Sequence, residues 1–244
     1  MCDYHMILAK DLQTYTNVTN KSILIVGCGY GLECDLLLSQ GAKKVVGVDV
    51  EEDIGKDYQH KQIEYCRVKA EEMTFEDDTF DISLSFATLE HVQDPKVTLL
   101  NMVKVTKPQG VIYCQTAPLW NSPFGHHKKD IFPNDPWIHV RKKSAEEMMD
   151  YYGSFCEEVF EGSKIKDHIR YIYSKDFNRM SVFDLRRIVA LLMELTLPLS
   201  IRFGLSKKLY QPLLTTKIRS ELQQYSDEEL FTEGATIVLR KLSK

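Results

Sequence analysis

The stretch IVGCGYGLECDLL, residues 25–37, constrains this chain more than any other. An apolar, β-branched run at 23–26 breaks on three alternate glycines, Gly27, Gly29 and Gly31, and a helical pattern follows over 32–40, closed by Gly41. A strand, a tight turn and a helix in that order open a βαβ unit. The glycines leave the main chain bare where the strand ends, which is where open α/β sheets take their ligands. A dinucleotide loop, G-x-G-x-x-G, needs a third glycine where this chain has Leu32, because that glycine lets the helix pack beside a pyrophosphate. The spacing here therefore favours a nucleoside with a compact charged tail. Asp49 ends the second strand, 22 residues after Gly27, where a carboxylate accepts hydrogen bonds from both hydroxyls of a ribose.

Strand and helix patterns alternate from there onward. Strands are expected at 44–48, 63–68, 81–86 and 111–115, with a helix over 95–105 in which Asp94 caps and Pro95 takes the first turn. This order predicts an α/β fold: a Rossmann-like, doubly wound, mostly parallel seven-stranded sheet with a helical cap or insertion before the last strand. Residues 118–143 are too long for an ordinary connection, and since loops of this length tend to be lids or binding segments they read as an acceptor-side loop. SAEE at 144–147 is a capping box opening a helix to about 152, FCEEVF at 155–160 reads as a strand, and 163–232 reads as a mostly helical insertion acting as a lid. ATIVLRKL, 235–242, is the closing strand. No linker marks a boundary, so 1–244 is taken as a single domain.

With these residues in order, the chain resembles the class I S-adenosylmethionine (SAM)-dependent methyltransferases, in particular the small-molecule group that includes the ubiquinone O-methyltransferases. The likeness runs from 22 to 115 and is carried by ILIVGCGYG, VVGVDV, KAEEMTFEDDTFDISLS, ATLEHVQDP and VTKPQGVIYC. The resemblance implies that Gly27, Cys28, Gly29 and Gly31 surround the methionine tail. It implies that Asp49, with Val50 beside it, holds the ribose, that Ala70 and Glu71 border the adenine, and that Phe86 lies near the ligand after the fourth strand. Where this group often has Gly-Asp-Ala before the acidic run, the chain has Val68, Lys69 and Ala70. An ammonium cannot accept a hydrogen bond from the adenine amino group, so backbone at Ala70 or the Glu71 carboxylate has to replace the missing acid.

The acceptor should face the ends of strands four and five, and four of the seven histidines fall after those strands: His91, His126, His127 and His139. Methyl transfer from a sulfonium to oxygen or nitrogen is an in-line displacement that needs alignment and removal of a proton. Imidazole titrates near neutrality, which makes His126 or His127 the first choice for general base, with His91 either a third candidate or a brace for its own loop. Glu90 and His91 also match part of an E-x-x-E-H element that resembles the divalent-metal site of the ubiquinone enzymes, although its first acid is Ala87 here. His126, His127 and His139 could complete a carboxylate-plus-imidazole set with Glu90 and His91, suited to Zn, Fe, Ni or Mg.

Other classes fit less well. A net charge of −4 argues against a protein built to hold nucleic-acid backbone, and the longest apolar run, 188–201, is interrupted by Glu194 and Pro198, so neither nucleic acid nor membrane is expected as a partner. The amino terminus lacks the pattern of a secretion or transit signal, and six scattered cysteines without a C-x-x-C pair suit reduced thiols, so a cytoplasmic address is expected. The expected activity is SAM-dependent methylation of an oxygen, or a nitrogen, of a polar small molecule such as a sugar, a phosphorylated intermediate or a natural-product precursor. A SAM-binding sensor without chemistry and a macromolecule methylase are the alternatives. FATLEH after the fourth strand is not the Asn/Asp-Pro-Pro-Tyr element of amino-group nucleic-acid methylases. The sequence leaves the oligomeric state open.

Overall fold

The structure is a computed structural model and describes residues 2–153 and 162–243. The strand expected at 155–160 lies outside the described residues. Seven strands form one sheet: β1 (Ser22–Val26), β2 (Lys44–Asp49), β3 (Ile63–Arg67), β4 (Phe80–Phe86), β5 (Thr106–Thr116), β6 (Thr196–Leu205) and β7 (Thr232–Lys241). Their order is β3-β2-β1-β4-β5-β7-β6, and β3, β2, β1, β4 and β5 pair in parallel. The expected α/β, mostly parallel sheet is what forms.

The chain divides into two compact units: Met1–Thr116 with Ile188–Arg202 and Thr236–Lys244, and Ala117–Arg187 with Phe203–Ala235. In the first unit the side chains alternate across the sheet as a two-residue repeat requires. Ile23, Ile25, Val45, Ile82, Leu84, Val111 and Tyr113 share one core with Leu8 and Leu12 of α1 (Cys2–Gln13) and Cys34 and Leu37 of α2 (Leu32–Ser39). Helix α3 (Pro95–Val105) packs on β4 and β5 and buries Leu99, Met102 and Val103. Each such side chain contributes on the order of 2 kcal/mol when fully buried. Continuous apolar strands of this kind are the mark of a parallel sheet covered on both faces.

Two buried hydroxyls of this core are linked in series. Thr106 Oγ1 donates to the Met102 carbonyl at 2.6 Å, so the Ser83 hydroxyl, 2.7 Å away, donates to Thr106. Helix α3 starts as its sequence dictates: the Asp94 carboxylate accepts from the Val97 N–H at 3.0 Å, with proline in the first turn.

Two expectations about elements change. Strand β5 starts at Thr106 rather than 111, so Pro108 and Gly110 lie inside it. A register shift opposite, between Phe80 and Ile82, accommodates them. The stretch 163–232, read as mostly helical, holds α6 (Gly162–Ile172), α7 (Val182–Leu192) and shorter helices, but also β6. Leu197, Leu199, Ile201, Phe203 and Leu205 alternate with Pro198, Ser200, Arg202 and Gly204, a strand repeat that follows directly on the helical one.

The second unit has two cores of its own. Phe124, Trp137, Tyr210, Leu222 and Phe231 form one; Phe132, Ile138 of α4 (Ile138–Arg141), Met148 of α5 (Ala145–Tyr152), Ile165 and Ile169 form the other. Trp137 is wholly buried, and its indole N–H donates to the Leu230 carbonyl at 3.0 Å.

Candidate cofactor and acceptor residues

The glycine loop links β1 to α2. The N–H groups of Gly27 and Cys28 donate to the Val48 carbonyl at 2.8 and 3.2 Å, which ties the loop to the neighbouring strand. A Cβ at Gly27 would meet Thr88 Oγ1 at 1.9 Å, whereas a Cβ at Gly29 would meet nothing within 4 Å. The loop therefore has a packed back and an open front. Gly29 is the point where a ligand can come against bare main chain. Gly31, with φ of +100°, caps α2 in the left-handed region that side chains disfavour.

Asp49 is aimed by the backbone. Its Oδ2 accepts from the Gly29 N–H at 2.7 Å, and its Oδ1 accepts from the N–H groups of Val50 and Glu51 at 2.7 and 3.1 Å. The carboxylate is half-buried and retains acceptor capacity beyond these three bonds. Val50 is exposed beside it, and its carbonyl accepts from Arg67 Nε at 3.1 Å.

Ala70 and Glu71 lie in a short 3₁₀ turn, Ala70–Glu72. The side-chain amide of Asn101 donates to both of their carbonyls, at 3.2 and 2.9 Å, and Glu71 Oε1 accepts from the Asp94 N–H at 3.0 Å. One oxygen of the carboxylate expected near adenine is thus engaged in holding the start of α3. The Lys69 ammonium turns to Glu72 at 3.1 Å. Phe86 is buried edge-on against Tyr113, with ring centres 5.5 Å apart.

Glu90 is buried, and its Oε2 accepts from the Thr116 hydroxyl at 2.7 Å. His91 is half-buried, and its main-chain N–H donates to the Thr88 carbonyl at 2.8 Å. Both belong to the first unit; His126, His127 and His139 belong to the second. His126 is wholly buried, and its Nδ1 accepts from the Lys128 N–H at 3.0 Å, so the proton sits on Nε2. His139 is also buried, and its ring nitrogen Nε2 lies 2.6 Å from the Trp120 carbonyl. A carbonyl only accepts, so this nitrogen carries the proton and Nδ1 is bare.

The two rings lie 4.9 Å apart. Burial lowers His126 to about 4, and burial followed by the neighbouring His126 holds His139 well below the usual imidazole range. Both are neutral at pH 7, which suits hydrogen bonding or metal ligation better than proton abstraction. His127 is half-buried against Phe177, ring centres 4.8 Å apart, with φ of +60°.

Several residues of the first unit around these positions escaped the sequence reading. Thr88 backs the loop, Thr116 holds Glu90, and Asn101 fixes the turn at 70–72. Thr88 sits within ATLEHVQDP but was given no role there, and Thr116 and Asn101 lie in no quoted motif; each became visible only through a partner distant in sequence. His5 of α1 places Nδ1 2.8 Å from Glu33 Oε1 in the first turn of α2, and the α1 sequence carries no signal of this.

Comparison with known proteins sharpens the picture. Residues 24–114 match the family described as "Methyltransferase domain". A ubiquinone biosynthesis O-methyltransferase of Maricaulis maris is 35% identical over 101 residues, 38% of this chain and 39% of that protein. The chain thus spans about two-fifths of the length of that curated relative. Among solved structures, an S-adenosylmethionine-dependent methyltransferase from Mesorhizobium loti aligns with a TM-score of 0.57 at 14% identity, covering 95% of this chain and 96% of that one. The [4+2]-cyclase SpnF aligns with a TM-score of 0.58 at 12% identity, covering 98% and 81%. At these identities the structures show a shared fold, and the second shows that this fold also carries other chemistry.

Proposed function

We propose that this chain, whose residues 24–114 match a methyltransferase domain family, is a class I SAM-dependent methyltransferase that transfers a methyl group from SAM to an oxygen, or failing that a nitrogen, of a polar small molecule. The observation that carries the reading is the pairing of an open Gly29 with an Asp49 carboxylate bonded to that same residue. The site fits SAM: the bare main chain at Gly29 leaves room for the methionine tail, and Asp49 keeps acceptor capacity for the ribose. SAM bound there supplies a methyl group activated by a sulfonium.

The chain's own residues then have distinct tasks. Gly27, Cys28, Gly29 and Gly31 hold the tail; Asp49 with Val50 takes the ribose; Ala70 and Glu71 border the adenine; Phe86 closes the site with an apolar ring. His91, half-buried in the first unit, is the candidate to accept the acceptor's proton there. His126 and His127 of the second unit are the other general-base candidates, and burial leaves His126 neutral and a weak base. Oxygen is placed before nitrogen because the curated relative is named for O-methylation.

Incubation with methyl-labelled SAM and a fractionated metabolite extract tests this. Label entering a low-molecular-weight fraction in wild type, and lost in Asp49→Ala, supports it. Label in protein or nucleic acid favours macromolecule methylation, and SAM binding with no label in any fraction favours a sensor. A divalent ion on Glu90, His91, His126, His127 or His139 belongs to the same proposal. Elemental analysis should then find near-stoichiometric metal that is lost in a His126→Ala, His127→Ala double variant, and metal-free wild type would remove the ion from the proposal.

A further inference from the structure

Three glycines of the first unit surround one aromatic ring that the reaction does not itself require. A Cβ at Gly31 would meet the Tyr65 hydroxyl at 2.2 Å, one at Gly55 would meet the Tyr65 ring at 2.3 Å, and one at Gly47 would meet its Cδ1 at 3.0 Å. These glycines come from the loop after β1, the turns after β2, and β2 itself. Tyr65 is on β3, so a single side chain fills the space left where three segments approach one another.

The hydroxyl continues the arrangement. It donates to the Tyr58 carbonyl at 2.5 Å. The same segment is laid on the glycine loop by two backbone bonds, Gly55 N–H to the Gly29 carbonyl at 2.9 Å and Asp57 N–H to the Tyr30 carbonyl at 3.3 Å. The Lys56 ammonium sits 4.2 Å over the Tyr30 ring. Gly29 is consequently held from both sides, its N–H by Asp49 and its carbonyl by Gly55.

We propose that Tyr65 is a positioning residue of the cofactor site: packed against Gly31, Gly47 and Gly55, it clamps segment 50–58 onto the glycine loop and sets the loop's shape before SAM binds. This rests on the proposed SAM site. The gain is preorganisation, since a loop already shaped for its ligand loses less conformational freedom on binding. Tyr65 itself need not touch the ligand.

Tyr65→Phe tests the clamp, because it keeps the ring and removes only the bond to Tyr58. Two readouts are taken on the full chain: calorimetric titration with SAM, and amide hydrogen exchange. One hydrogen bond is worth about 0.5–1.5 kcal/mol, so SAM affinity should fall by about 2- to 12-fold. The Gly55 and Gly31 amides should exchange faster while those of Leu24 in β1 and Ser83 in β4 keep wild-type protection. A merely structural tyrosine would change all four together or none. Gly55→Ala drives a methyl group into the ring and should weaken SAM more than Tyr65→Phe does.

Wild-type SAM affinity in Tyr65→Phe overturns the proposal, as does unchanged exchange at Gly55. If wild type fails to bind SAM, the proposed function fails instead, and the exchange measurement still decides whether the clamp exists.

Discussion

The second unit should lose stability in mild acid, and His126 sets the size of the effect. The unfolded imidazole titrates near pH 6.5, whereas burial lowers the folded one to about 4. The unfolded chain therefore binds the proton first. Stability contributed by keeping this ring neutral is intact above about pH 6.5, falls as pH drops through the window, and is gone below about 4. The full difference is on the order of 3 kcal/mol, and about 2 kcal/mol of it should be lost between pH 7 and 5. His139 acts in the same direction, since it too is held below the usual range by burial.

For a chain of this size, about 2 kcal/mol corresponds to roughly 4–8 °C in melting midpoint. The assay is selective without labelling, because the chain's two tryptophans, Trp120 and Trp137, both lie in the second unit. Intrinsic fluorescence melts at pH 7 and 5 should show the drop in wild type. His126→Asn should reduce it, since an asparagine oxygen can still accept from the Lys128 N–H but does not titrate. Equal midpoints at the two pH values, or the same drop in His126→Asn, would refute the assignment of a buried neutral imidazole.

Gly27→Ala and Gly29→Ala should separate, although they sit two residues apart. Both alanines carry the strain of a positive φ, +79° at Gly27 and +47° at Gly29, worth about 1–2 kcal/mol each; the first also drives a methyl group into Thr88 and should lower the melting midpoint further, while the second points into open space, should cost no more than that strain and should weaken SAM binding by at least tenfold. Equal behaviour in thermal melts and titrations would contradict the packed-back, open-front loop. Thr116→Val removes a hydroxyl that donates to the buried Glu90 and should cost about 1–3 kcal/mol in urea unfolding; a change under about 0.5 kcal/mol would show that the bond contributes little.

Much of the first unit was legible because its signals are local. Short apolar runs marked β1, β2 and β4, the Asp94-Pro95 pair fixed the start of α3, and the glycine spacing located the loop. Asp49 was legible as an acid after a strand; its bond to Gly29 was not, because a sequence gives the order of groups and not which carboxylate oxygen meets which amide. Tyr65 carries no motif, and its role depends on three glycines brought together only by folding.

Strand β6 was missed because an amphipathic helix leads straight into it with no glycine between, leaving a change of period as the only signal. The histidines were the least legible. Their number after β4 and β5 suggested a chemical cluster, but burial is a property of packing, and it is burial that makes His126 and His139 weak bases.

The most direct test of the account is a calorimetric titration of the purified chain with SAM, beside Asp49→Ala. Removing a carboxylate that accepts charge-assisted hydrogen bonds costs about 1.5–3 kcal/mol, so saturable 1:1 binding in wild type should weaken by about 10- to 150-fold in the variant. No heat of binding in wild type, or equal affinity in both proteins, would contradict the claim that the glycine loop and Asp49 form the cofactor site.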